Sequence, residues 1–139
     1  MTGASSTPPP GSRPAPAERL DLAPHPEGGW YRRTWTSPAT LAGDRPAATA
    51  VLYLLTAGEW SRWHTVDADE LWLWHGPDPL TLQLADAPGD VADEHTLGPD
   101  AVQLLVPAGR WQRTAAATGE VLVTCVVSPG FTWSGFQLG

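Results

Sequence analysis

The 139-residue chain contains no lysine: its eight basic residues are all arginine, set against fifteen Asp and Glu for a net charge of −7. Without lysine there is no Schiff-base nucleophile and no amine general base. There is also no clustered Lys and Arg surface to track a phosphate backbone. The acidic runs at 67–70 and 86–94 would repel such a backbone, so nucleic acid is not an expected partner. Cysteine is nearly as scarce. The lone Cys125, within VLVTCVV, has no internal partner for a disulfide and reads as a small buried hydrophobe. No run approaches the ~20 apolar residues of a membrane span. No Gly-x-Ser-x-Gly elbow offers a serine nucleophile, and no Gly-rich loop opening a helix offers a phosphate cradle. Helical periodicity over ten residues or more is missing as well.

Residues 1–19 are rich in Pro, Ser, Gly and Ala. They show neither the apolar core of a signal peptide nor the Arg-rich pattern of a transit peptide. They are expected to be a disordered tail, because such a composition buries too little to offset ordering entropy. A single domain over 20–139 and a soluble, cytoplasmic protein are the corresponding expectations.

What is present is a series of short strand signals. Residues 30–36 are aromatic and β-branched, and 49–56 (TAVLYLLT) form a nearly continuous apolar run, as in a strand covered on both faces. Residues 61–66, 70–75, 80–84, 102–106, 120–128 and 131–138 continue the series, with an acidic hairpin across 85–99. Close spacing and intervening turn signals predict an all-β sandwich or barrel.

Alternation then places side chains. Glu70, Trp72 and Trp74 share one face, with His75 on the other, and Arg62, His64 and Val66 share a face on the preceding strand. A carboxylate among indoles is desolvated and its pKa is driven up. An imidazole beside it can act as general base or acid, with Tyr31 or Tyr53 as an opposing acid.

These residues carry a resemblance. Gly58, His64, Val66, Glu70 and Gly76 resemble the first motif of the cupin superfamily, and Pro107, Gly109 and Gln112 resemble the second. More closely, residues 20–138 are similar to the cupin 5 family, a domain of unknown function. The carriers are His25-Pro-Glu-Gly-Gly29, Ser61-x2-His64, Asp69-Glu70-x-Trp72, Leu97-Gly98, Val106-Pro-Ala-Gly-x-Trp-Gln112 and Ser128-Pro-Gly-Phe131. The resemblance implies a double-stranded β-helix, the cupin jelly roll, that is usually dimeric, holds a small-molecule cavity and is similar in fold to metal-free sugar-nucleotide epimerases. Val66 and Gln112 stand where that superfamily usually has histidines, and Arg33 where the family tends to be acidic.

The functional expectation is an isomerase- or epimerase-type enzyme working by proton transfer. His64, Glu70 and Tyr53 are its catalytic candidates, and Trp72, Trp74, Gln112, Arg62 and Tyr31 are expected to bind a ligand with a ring system. A non-catalytic binding protein is the alternative. No cofactor is expected. A divalent metal held by His64, Glu70 and Gln112 is a further alternative, weakened because an amide oxygen is a poor donor to a transition metal. Aromatic residues near the N-terminal strand, Trp30, Tyr31 and Trp35, point to a homodimer.

Overall fold

The computed structural model describes residues 12–90 and 92–139. Strand β3 (Thr49–Leu55) shows how the fold is built. Its inward side chains, Val51, Tyr53 and Leu55, join the main core with Val121, Val123 and Cys125 of β10 (Val121–Ser128) and Trp72 of β5 (Asp69–Pro77). Its outward Leu52 and Leu54 pack with Ala17 and Leu22 on the opposite side of the sheet. Both faces are covered, which accounts for the unbroken apolar run.

The cover comes from helix α1 (Ala15–Leu20), in the segment whose composition suggested a disordered tail. Residues 1–11 of that tail lie outside the described residues. A proline in the first helical turn is tolerated because N–H groups there have no intrahelical partner in any case. Asp21, in the left-handed region at φ 56°, ends the helix, and the Leu22 N–H donates to the Ala17 carbonyl. Arg13 staples the turn, donating to Glu18 at 2.8 Å and to the Leu22 carbonyl at 2.8 Å. One buried alanine and Leu22 are enough for docking when Leu54 offers an apolar face, and composition does not record so small a patch.

The remaining strands are β1 (Ala23–Pro24), β2 (Trp30–Thr36), β4 (His64–Val66), β6 (Leu80–Ala85), β7 (Asp93–Leu97), β8 (Gln103–Val106), β9 (Trp111–Thr114) and β11 (Phe136–Leu138). They form a six-stranded sheet ordered β1-β2-β3-β10-β5-β8 and a five-stranded sheet ordered β11-β4-β9-β6-β7. The pairings are antiparallel, and the two sheets form the double-stranded β-helix. Residues 85–99 do contain a hairpin, since β7 pairs with β6. Strand β9 carries no apolar signature: its inward residues are the polar Gln112 and Thr114. The expected final strand over 131–138 is shorter, because Trp133–Gly135 forms a 3-10 turn before β11. Among the described residues no helix is long and apolar enough to cross a membrane.

Candidate functional site

The barrel contains a cavity of about 620 Å³. Its lining includes His64, Glu70, Trp72, Tyr53 and Tyr31 from the expected set, together with Glu27, which sequence reasoning had not placed there. Glu27, His64 and Glu70 are 6%, 2% and 8% exposed, so three ionisable groups are buried in the interior.

Glu27 enters on a turn. The His25 carbonyl accepts the Gly28 N–H, and the Gly29 carbonyl accepts the His25 N–H. The Arg62 N–H donates to the Glu27 carbonyl at 2.7 Å, which clamps the turn against the segment leading into β4. Gly28 sits at φ 110°, and a Cβ there would lie 2.3 Å from the Trp60 carbonyl oxygen. Only glycine permits both that conformation and that approach.

His64 fixes its own tautomer. Its Nδ1 lies 2.7 Å from the Arg62 carbonyl, which can only accept, so Nδ1 carries the proton. Nε2 is thereby left with a lone pair, and it faces Glu27 Oε1 at 3.3 Å. Two lone pairs at that distance repel, which favours a proton shared between the two groups. His25 adds to the constraint: its Nδ1 accepts the Glu27 N–H at 3.0 Å and lies 3.5 Å from the same Oε1. The Ser61 hydroxyl donates to Glu27 Oε2 at 2.9 Å. Burial lowers the His64 and His25 pKa values and raises that of Glu27; Glu70 partly opposes the shift on His64, and Glu27 that on His25. Desolvation thus works toward the uncharged form of each group, the carboxylic acid of Glu27 and the neutral imidazole of His64.

A second chain runs across the barrel. Trp72 Nε1, which can only donate, gives its hydrogen to Gln112 Oε1 at 3.0 Å; Gln112 Nε2 then donates to Glu70 Oε1 at 2.8 Å. Gln112 therefore supports Glu70 and Trp72 from behind and is not part of the cavity wall, contrary to a ligand-binding place for it. The register pairs His64 with Gln112 across β4 and β9, yet their side chains bond elsewhere. The Tyr53 hydroxyl donates to the Gly28 carbonyl, and burial holds its pKa well above the usual tyrosine range, which makes it a donor and not a base.

Two further placements differ from expectation. Arg62 is exposed and absent from the wall, because β4 begins only at His64 and strand alternation does not extend back to it. Ser61 points inward in its place. Trp74 shares the inner face with Glu70, but four residues along a strand is about 13 Å; its indole donates to the Asp78 carbonyl at 2.8 Å, away from the cavity. At the mouth, Trp133 meets Tyr31, Phe131 and Phe136 edge-on, with ring centroids 6.3, 4.9 and 5.3 Å apart. The buried Cys125 thiol also lines the cavity, its pKa raised by burial first and by Glu70 and Glu27 after it. An acidic residue between a proline and two glycines, away from the solvated acidic runs, was the available signal for Glu27.

The metal reading does not fit this chemistry. Both His64 nitrogens are engaged, Gln112 Oε1 is taken by an indole, and among the described residues no three His, Cys, Asp or Glu side chains are placed to hold a metal ion.

The family model described as Cupin_5: Cupin superfamily (DUF985) matches residues 16–139. A hypothetical protein from Leishmania major is 30% identical, with a TM-score of 0.79 over 88% of this chain and 84% of its own. A Shewanella oneidensis protein is 34% identical, with a TM-score of 0.81 over 88% and 81%. The capsular polysaccharide assembling protein CapF from Staphylococcus aureus, at 11% identity, 84% of this chain and 33% of its own, and a TM-score of 0.65, shares the fold alone. No protein of curated function matches significantly. The fold, the motif residues and the match over nearly the whole described chain agree, and the protein belongs to the Cupin_5 family of the cupin superfamily.

Proposed function

We propose that this protein binds a small, ring-bearing molecule in its barrel and isomerises it by proton transfer, with Glu27 and His64 as the exchanging pair. The observation that carries the reading is the contact of His64 Nε2 with Glu27 Oε1 at 3.3 Å, between two buried groups that both line the cavity. At rest the pair holds one proton, since burial works toward the uncharged acid and imidazole. It can accept a second from a carbon made acidic by a neighbouring carbonyl, leaving Glu27 protonated and His64 cationic. Returning the proton to the opposite face of the same carbon inverts that centre with no net change in charge. The lowered pKa of His64 keeps the imidazole neutral, and able to accept, below the usual ~6.5 of histidine. Aromatic rings at the mouth exclude water and suit a planar or cyclic ligand.

Incubating candidate carbonyl compounds with the protein in D₂O tests this. Wild type should place solvent deuterium on the carbon next to the carbonyl. His64→Asn and Glu27→Gln should each slow incorporation by at least about a hundredfold, the usual scale of a lost acid–base group. Binding that leaves every ligand unlabelled would favour the non-catalytic alternative. That alternative draws support from the engagement of both His64 nitrogens within the protein.

A further inference from the structure

Glu70 has no part in that proton transfer, and its burial calls for a reason. The Gln112 amide donates to Glu70 Oε1, and the amide oxygen of a glutamine at 70 could accept the same hydrogen bond. A carboxylate costs more to bury than an amide unless a charge answers it. The groups around Glu70 supply little of one. Gln112 is neutral, Cys125 is a thiol whose pKa burial raises, and Glu27 is a second carboxyl in the same cavity. His64 is the nearest base, but its nitrogens are engaged by the Arg62 carbonyl and Glu27. Among the described residues no arginine is buried beside Glu70. Arg13, Arg32 and Arg33 line the cavity; Arg13 pairs with Glu18 and Asp21, and the exposed Arg32 and Arg33 donate to the carbonyls of Leu20 and Phe131. In water they oppose a passing cation only weakly.

We propose that the ligand brings a protonated amine into the barrel, where it pairs with Glu70 among the rings of Trp72, Tyr53 and Tyr31. Aromatic walls favour cations over anions because the ring faces are electron-rich, and a charged hydrogen bond to a buried carboxylate is stronger than a neutral one. A sugar or a neutral carbonyl compound would leave Glu70 without a counter-charge. A ligand with an amine inward and its reactive carbon near Glu27 would use both carboxyls of the cavity for different tasks. This deepens the function proposed above and rests on the cavity being a ligand site.

The test compares benzylamine, benzyl alcohol and benzoate, matched in ring size and differing in charge, by calorimetry or by quenching of tryptophan fluorescence. Benzylamine should bind wild type at least about tenfold more tightly than benzyl alcohol, the scale of one charged hydrogen bond, and benzoate should bind weakest. Benzylamine affinity should rise with pH while Glu70 ionises. In Glu70→Gln the preference for the amine should collapse to within about twofold, with benzyl alcohol affinity retained as the check on folding. Equal or tighter binding of the alcohol or of benzoate by wild type overturns the amine assignment while leaving the ligand site in place. Failure of all three to bind overturns both. If Glu70→Gln does not fold, the wild-type comparison and its pH dependence still decide.

Discussion

At the scale of single residues, the site is a problem in buried charge. Burial raises the Glu70 pKa, with Glu27 adding to the shift while His64 and Gln112 oppose it. The folded state therefore holds the Glu70 proton more tightly than the unfolded chain, whose glutamate titrates near ~4.3. Glu70's contribution to stability is complete below that pH and is lost as pH rises through the raised folded value. His64 and His25, whose pKa values burial lowers, act in the opposite sense: stability falls as pH drops below the ~6.5 of an unfolded histidine. Glu70→Gln should accordingly melt above wild type at pH 8, by about 2–4 °C for each kcal/mol of relieved desolvation, and level with it near pH 4. A Tm identical to wild type at pH 8, read by calorimetry, would show that Glu70 ionises in the barrel without cost. His64 and Glu70 were legible in the sequence because both lie on strands, where alternation sorts inside from outside. Glu27 reaches the cavity from a turn, and Ser61 supports it from a loop, where no periodicity does that sorting.

At the scale of elements, the turn at residues 25–29 does what a strand cannot, turning a carboxyl into the barrel while its backbone braces the approach to β4. Gly28 is the constrained point, with a positive φ and the Trp60 carbonyl where a side chain would begin. Gly28→Ala should cost at least about 1–3 kcal/mol, the range for an L-residue forced into strained backbone, and should displace Glu27 from His64. The denaturant midpoint reads the first effect, and loss of deuterium exchange reads the second. A change under about 0.5 kcal/mol, the scale of an inert surface substitution, would mean that the turn relaxes without using the Trp60 contact. The strand signals in the sequence mapped well wherever burial made them apolar, as in β3 and β10. They failed for β9, whose inward Gln112 and Thr114 are polar because they serve the hydrogen-bond network. They also failed for α1, which is too short to show a period. A register shift between Leu122 and Val123, where β10 meets β5, falls beside Trp74 and His75. Sequence alternation carries no trace of it.

At the scale of the whole molecule, the six-stranded sheet has an outer face that α1 covers only in part. The strand registers align Trp35, Ala50, Val126, Leu71 and Leu105 in one row across β2, β3, β10, β5 and β8. Their side chains point away from the core, which takes the alternate residues Val51, Cys125 and Trp72. Trp35 is 48% and Leu105 53% exposed at the two ends of the row. A neighbouring row adds Leu52 and Leu73, while His75 bonds to Thr124 at 2.6 Å beside it. An apolar band spanning five strands is larger than the scattered hydrophobics that a monomer's surface normally carries. A second copy turned by a two-fold axis would lay the same row against itself. The aromatic surplus near the N-terminal strand suggested a homodimer from sequence, but the row extends well past that strand and centres on β10. We therefore expect light scattering at micromolar concentration to give twice the 14.8 kDa chain mass. Val126→Glu, which puts a charge at the middle of the row without entering the cavity, should return the chain mass and leave binding of small aromatic ligands intact, because the cavity lies on the other face of the sheet. Wild type running at the single-chain mass, or Val126→Glu remaining paired, would mean that the band is covered by something other than a second copy.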